Sequence, residues 1–354
     1  MNAEAKSAPH SPRPSALIMG AGSIGCYLGG LLAAAGWQVD FVGRPRVLQA
    51  LRERGLALSG LGQASQRLAA AALAERLHEH PPAGLRPDLT LLCVKSGATA
   101  EAAALLQSAL PAGSLVLSMQ NGVGNAALAQ AAAPALDWRA GMVPFNVAEL
   151  SPGHFHRGTG GDLRVQGRAD EALLQALQKA WQAQGLNLQL VPTPAAMQAV
   201  QWGKLLLNLN NPVNALSGQP LRAELLHRGY RRCFAALQEE ALDLLAAAGI
   251  SPAQMTPLPP RRLLQVLRLP SPLFRLVAAR MLKIDAQARS SMADDLSLGR
   301  LTEIDALCGE VVRLAQTLGR SAPLNSRMVM LVKDWPARQG RAYTQKELWS
   351  ALQR

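Results

Sequence analysis

Cysteine is scarce in this 354-residue chain. There are four, Cys26, Cys93, Cys233 and Cys308, far apart and with no C-x-x-C pair. That spacing excludes a disulfide framework and a zinc knuckle, leaves no metal expected, and fits reduced thiols in a cytoplasmic protein. Aromatic residues are also few, at 4%. They do not interleave with the basic residues, so no stacking platform for nucleic acid is present, although the formal net charge is +12 and the pI is near 10.3. No repeat and no heptad pattern occurs, which removes solenoids and coiled coils. What remains for a basic chain is an anionic small molecule, such as a phosphorylated cofactor or an acidic substrate. The length, with 49% hydrophobic and 17% charged residues, suits two globular domains.

Charge is missing from one further place, the stretch from Ser15 to Val39, which contains "LLAAAG". Hydropathy alone reads this as a membrane span or a signal peptide. The glycines oppose that reading. The apolar run Ala16–Met19 fits a buried strand. Gly20, Gly22 and Gly25 follow in G-x-G-x-x-G spacing, then a small-residue helix to about Ala35 and a second strand, Gln38–Val42. This is a strand–helix–strand unit with its glycines at the first turn. Gly20 permits the turn, Gly22 lets backbone approach a pyrophosphate, and Gly25 lets helix and strand pack closely. With Ala21 between the glycines, the amides near Ser23 and Ile24 would hold phosphates. A soluble protein with no membrane contact is expected. Residues 1–14, "MNAEAKSAPHSPRP", read as a disordered extension.

An NAD site wants an acidic residue at the second strand's end. Asp40 falls in mid-strand, and the end reads Gly43-Arg44-Pro45-Arg46. Arg44 is placed to meet a 2′-phosphate, with Arg46 beside it, so NADPH is the expected cofactor. "DLTLLCVKS" puts Lys95, and "SLVLSMQNGVGN" puts Asn121, at the ends of two later strands, where ligands bind in open parallel sheets. Strands at 163–166 and 188–191 would complete the sheet. The boundary of this domain, residues 15–193, falls near Thr193. Residues 194–354 show helical patterns and no convincing strand. Within them 251–275 is rich in proline and arginine and reads as a loop with a short helix, at the surface or at a contact in a homodimer. Ser290 or Ser291 would cap a helix, and Glu303 and Asp305 would sit in the first turn of the next.

One stretch resists a purely structural reading. "AVQWGKLLLNLNNPVNALSG", 199–218, is an apolar helix that carries Lys204 and four asparagines, Asn208, Asn210, Asn211 and Asn214. A lysine in apolar surroundings is costly unless paired or used. On one continuous helix Lys204, Asn208 and Asn211 share a face, at i, i+4 and i+7. Pro212 should kink or end that helix.

Taken together, GAGSIG at 20–25, Arg44, Lys95, Asn121-Gly122, the W-x-K-L-x-x-N run 202–208, and Ser290-Ser291-Met292 with Asp295 and "TEID" at 302–305 resemble the ketopantoate reductase family over nearly all of 15–335. The resemblance implies an α/β protein: a Rossmann-type parallel-sheet domain followed by an all-helical domain, in the manner of 6-phosphogluconate dehydrogenase. It implies NADPH-dependent reduction of 2-dehydropantoate to pantoate, on the way to pantothenate. Lys204 matches the family's general acid and Glu303 the glutamate that supports it. Asn208 and Ser291 match substrate-holding residues, and Lys95 and Asn121 match residues assisting at the nicotinamide end. Physically, Lys204 would donate to the ketone oxygen as hydride arrives and give its proton to the forming alkoxide. Glu303, on reaching Lys204, would keep it charged. Asn211-Pro212 stands one residue earlier than the family pattern, beside Asn210, so which asparagine faces the substrate stays open. "NPVNAL" and "GMVPFNV" (141–147) also depart from it, on the substrate side. The alternatives are a paralogue acting on another branched 2-oxo acid and a non-catalytic NADP-sensing protein, which would need neither Lys204 nor Glu303.

Overall fold

The protein is described by a computed structural model over residues 13–60, 65–279 and 288–354. The expectation for 1–14 lies outside these residues except at Arg13 and Pro14. Among the described residues twelve strands occur, all before residue 192: β1 Ser15–Met19, β2 Gln38–Val42, β3 Leu56–Gly60, β4 Gln66–Leu68, β5 Leu77–His78, β6 Leu89–Leu92, β7 Leu115–Ser118, β8 Asp137–Met142, β9 Val147–Ser151, β10 His154–Arg157, β11 Leu163–Gln166 and β12 Leu188–Val191. Eight form one sheet in the order β12-β11-β8-β7-β6-β1-β2-β5. Every pair in it is parallel except β8 with β11. The chain leaves β1 toward β2 on one side and returns to β6 on the other. The crevice between the C-terminal ends of β1 and β6 is therefore the topological switch point.

The uncharged run 15–39 resolves into β1, the helix Ser23–Ala34 and the start of β2, with Leu17, Ile18, Cys26 and Leu28 fully buried. Among the described residues, no helix is long and apolar enough to cross a membrane. Its apolarity serves a strand covered on both faces and a helix packed on it.

The expected α/β architecture is found, with one addition. A second sheet, β4-β3-β10-β9, covers the first helix: Gly30 lies so close to β3 that a Cβ there would stand 2.7 Å from Leu56 and 2.8 Å from Leu58. Beyond Val191 the described chain is helical. Thr193 caps the helix Pro194–Asn208, its Oγ1 accepting from the amide of Ala196. The second core gathers around the helix Arg228–Ala247, with Cys233, Leu237, Ala241 and Leu245 at 0% exposure.

The 251–275 segment contains two short helices rather than one, Pro260–Arg268 and Ser271–Val277. What holds them is Arg231, itself fully buried. Its guanidinium donates to the carbonyls of Leu267 (3.0 Å), Leu225 (2.8 Å) and Leu269 (2.8 Å), and lies over the Phe274 ring at 4.0 Å. Burial lowers its pKa to about 10, so it remains a cation at neutral pH. Arg231→Met would keep the volume but strip three buried carbonyls of their donor. The expected loss is about 3–5 kcal/mol of unfolding free energy by urea titration. A loss under about 1 kcal/mol would mean that water or a shifted backbone satisfies those carbonyls instead.

Candidate active site

The glycine turn is built for close approach. Gly20 has φ +108°, and a Cβ there would stand 2.7 Å from the amide nitrogen of Val94, beyond the end of β6. A Cβ on Gly25 would lie 2.1 Å from the Gly20 carbonyl. Gly22 is the opposite case, since a Cβ on it would meet nothing within 4 Å. The helix that begins at Ser23 has no side-chain cap and no acidic residue in its first turn. Its leading amides, at Ser23, Ile24 and Gly25, are therefore left without a side-chain cap and suit a phosphate.

At the end of β2, Arg44 is exposed and its guanidinium makes no hydrogen bond or ion pair with the described residues, while Arg46 pairs with Glu149 at 3.1 Å. Asp40 is nearly buried. It accepts from Arg76 (3.1 Å) and from the ring of His78 (2.8 Å). Its carboxylate is engaged within the fold, whereas the Arg44 guanidinium at the strand end has no partner among the described residues.

On the other side of the switch point the two domains meet. Lys95 pairs with Asp295 at 2.7 Å and donates to the carbonyl of Leu301 at 2.9 Å. Glu303 accepts from the amide (3.2 Å) and hydroxyl (3.1 Å) of Ser96 through one oxygen, and from the Asn121 amide group (3.2 Å) through the other. Gly122, with φ +91°, approaches so closely that a Cβ would stand 2.6 Å from the Ala306 carbonyl. Here lies a narrow cleft lined by Asn121, Asn211, Ser291, Met292, Asp295, Glu303 and Leu307.

Two expectations are corrected. Glu303 does not touch Lys204, because both its oxygens are engaged by Ser96 and Asn121. Lys204 instead donates to the carbonyl of Pro144 at 3.1 Å, in the connection between β8 and β9. Burial, with no carboxylate to offset it, pulls its pKa down to about 8. Lys95 is tied to Asp295 across the cleft and so is not free over the nicotinamide side.

The asparagine helix also differs from the single continuous face. Its first part ends at Asn208, Leu209 is a turn, and a second helix runs Asn210–Ser217. The break comes three residues ahead of Pro212, which then sits in the new helix's first turn, where a missing N–H costs nothing. Asn211 lines the cleft. Asn208 is buried, its side chain makes no hydrogen bond with the described residues, and like Lys204 it is not among the cleft-lining residues. Asn210 and Asn214, one turn apart, face the other way.

Those two asparagines lead to a residue that pattern reading missed. Glu224 is fully buried and accepts from Asn210 (3.0 Å) and Asn214 (3.5 Å). Asn214 in turn accepts from the amide of Ser290 (2.9 Å), and Ser290 donates to the carbonyl of Asn211 (3.2 Å) while capping the helix Ser291–Ser297. The cap is thus Ser290, which leaves Ser291 in the cleft lining. The sequence signal was the amide pair at i and i+4, whose spacing required a shared partner.

Comparison with known proteins follows the same division. The family model for ketopantoate reductase PanE/ApbA matches residues 16–169, and the model for its C-terminal domain matches 196–335. A 2-dehydropantoate 2-reductase of Halobacterium salinarum is 29% identical over 322 residues, covering 90% of this chain and 97% of its own. The crystal structure of a PanE/ApbA family ketopantoate reductase from Ralstonia eutropha JMP134 is 28% identical, with a TM-score of 0.75 over 92% of this chain and all of that one. A D-mandelate dehydrogenase solved with NADH and anilino(oxo)acetate shares the fold at 19% identity, with a TM-score of 0.74 over 92% of this chain and all of that one.

Burial pushes the Glu224 carboxyl up from 4.5 to about 8, against the lowering effect of the two asparagine amides and of Arg231. A carboxyl raised in the folded state binds its proton more tightly there than when unfolded. Its stabilising contribution is complete below about pH 4.5 and falls as pH rises toward 8, by up to about 1.4 kcal/mol per pH unit. Glu224→Gln cannot titrate. Its stability relative to the parent should climb from about pH 5 to 8 and level off beyond, as read by urea titrations at stepped pH. A difference that stays flat across that window would place the Glu224 proton elsewhere.

Proposed function

Since the chain belongs to the ketopantoate reductase family, we propose that it reduces 2-dehydropantoate to pantoate with NADPH, Lys204 acting as general acid. The observation that carries this reading is the state of Lys204: largely enclosed, without a carboxylate partner, and shifted to about 8. An ammonium of that pKa holds its proton at neutral pH yet releases it readily to an alkoxide. The one hydrogen bond that its ammonium makes among the described residues, to a backbone carbonyl, is one a substrate oxygen could replace. A bound nicotinamide would supply the hydride. The uncapped amides at Ser23 and Ile24, with Gly20, Ala21, Gly22 and Gly25 leaving room for backbone approach, would hold its phosphates, and Arg44 the 2′-phosphate. In this reading Asn208, Asn211, Ser291 and Asn121 hold the carboxylate and hydroxyl of the 2-oxo acid. Glu303 and Lys95 fix the wall of the cleft against the strand ends. The Lys204 ammonium stabilises charge growing on the ketone oxygen and then transfers its proton there, so the ketone gains one hydride and one proton.

The engagement of Asp40 by Arg76 and His78 favours NADPH over NADH, since it leaves Arg44 as the charged group free at the end of β2. Arg44→Ala should narrow the preference for NADPH mainly through its Kd, by a charge-assisted contact of roughly 1.5–3 kcal/mol. Equal use of NADH and NADPH by the parent protein would overturn this.

Lys204→Met tests the acid and the cost of burying it together. Loss of a general acid should lower kcat by about 10²–10⁴-fold, with little change in NADPH Kd. Removal of a buried, unpaired cation should raise unfolding stability at neutral pH, by on the order of 1 kcal/mol. The rate is read by NADPH oxidation over a panel of 2-oxo acids that includes 2-dehydropantoate, and stability by urea titration. Parent-like turnover in the variant would remove Lys204 from the chemistry.

A further inference from the structure

The excess positive charge of the chain is not absorbed by the nucleotide site. A second concavity, of about 450 Å³, opens at the far end of the helical domain. That volume falls within the range of small-molecule sites, roughly 300–1,000 Å³. Four cations line it: Arg327 from the helix Pro323–Lys333, Arg338 from the turn after it, Lys346 from the helix Gln345–Leu352, and Arg354. None of the four forms an ion pair with the described residues.

The carboxylate in the lining, Glu347, is already engaged. One oxygen accepts from the amide of Thr344 (2.9 Å) in a capping box, and the other from Arg341 (3.2 Å). Arg327 spends its Nε on the carbonyl of Ala351 (2.9 Å). Arg338 is held flat, 3.6 Å over the Tyr343 ring, with its Nε on the Arg341 carbonyl (3.3 Å). Its Nη2 is buried and has no hydrogen-bond partner. A buried guanidinium nitrogen with no acceptor among the described residues, on an arginine that shares its lining with three more cations and one side-chain carboxylate, is unfavourable unless an anion completes it. The Ser350 hydroxyl adds a donor, and Leu331 and Ala351 supply an apolar wall.

We propose that this concavity is a binding site for a phosphorylated small molecule, distinct from the nucleotide crevice. A tetrahedral, multiply charged phosphate matches a fixed guanidinium fork, a mobile ammonium and a hydroxyl better than a single carboxylate does. Occupancy reaches the proposed substrate site by a short covalent and hydrogen-bonded route. The amide of Tyr343 donates to the carbonyl of Leu216, near the end of the Asn210–Ser217 helix, and its carbonyl accepts from Tyr230 (2.8 and 2.7 Å). An anion that fixes Arg338 on Tyr343 therefore steadies the helix that carries Asn211. This effect on turnover rests on the reductase reading, whereas the binding itself does not.

The test is calorimetric titration of the full-length protein with pyrophosphate and, separately, with a phosphate monoester such as glycerol 2-phosphate, at constant ionic strength. The parent, Arg338→Ala/Lys346→Ala and Arg44→Ala are compared. The expected result is binding by the parent that weakens about tenfold or more in the double variant and is unchanged in Arg44→Ala. Tighter binding of the monoester than of pyrophosphate would identify an organic ligand, and the reverse an inorganic one; both support the site. Equal affinity in parent and double variant, loss of binding only in Arg44→Ala, or no binding by the parent would each overturn it. Should the double variant fail to fold, the exposed single variant Lys346→Ala decides by the same criteria. A change in substrate KM on adding the anion, absent in the double variant, tests the link to turnover. If binding holds and this change is missing, the site stands and its coupling to the asparagine helix falls.

Discussion

Glu303 is the tie on which the cleft depends. The C-terminal ends of a parallel sheet offer backbone and short polar groups but no opposing wall, and the helical domain has to supply one. One carboxylate reaches both Ser96 and Asn121, at the ends of adjacent strands, and the Lys95–Asp295 pair spans the same gap. Gly122 permits contact with Ala306 that no side chain would allow. The consequence extends to Lys204. With Glu303 committed to the clasp, the ammonium is left with burial and a single carbonyl, and its low pKa follows from that division of labour.

Behind the cleft, a buried network sets where its side chains point. Glu224, Asn210, Asn214 and Ser290 form a continuous path that ends on the Asn211 carbonyl and the cap of the Ser291 helix. Such networks give little net stability, but they penalise any arrangement that leaves a member unpaired. Two acceptors in this one, Oδ1 of Asn210 and Oε1 of Glu224, have no partner. A protonated Glu224 supplies one more donor to a region that holds too many acceptors, which agrees with the upward shift of its pKa.

What the sequence disclosed follows from how locally each feature is determined. The glycine turn was legible because positive φ at Gly20 and the 2.1 Å approach at Gly25 are demands that only glycine meets. Strands β1, β2, β11 and β12 were legible as short apolar runs between turn signals. The second sheet was not: β3 and β4 are only five and three residues long, and β9 and β10 carry Glu, His and Arg, so no long apolar run marks them. The Ser290 cap was legible as one of two candidates, and the bond from the Ala293 amide to its Oγ, with the tertiary bond of its own amide to Asn214, separates it from Ser291. The Lys204–Glu303 contact was inferred from a family pattern, and the contest between Lys204, Ser96 and Asn121 for one carboxylate cannot be read from spacing.

The two halves of the site thus rest on different physics. The nucleotide side is written in backbone: open space at Gly22, an uncapped helix start, a free arginine at a strand end. Backbone geometry of this kind constrains few side chains and leaves a short, legible motif. The other side is written in buried polar groups whose partners lie 10 to 207 positions apart, from Asn214–Glu224 to Ser96–Glu303. On that side the apolar helix is interrupted at Leu209, between Asn208 and Asn210. The break turns Asn210 and Asn214 to Glu224 and leaves Asn211 in the cleft lining. On the reductase reading proposed above, the choice of 2-oxo acid would depend on the helical domain and the connection between β8 and β9, where a shift in one partner re-aims several others, rather than on the glycine motif that makes the fold recognisable.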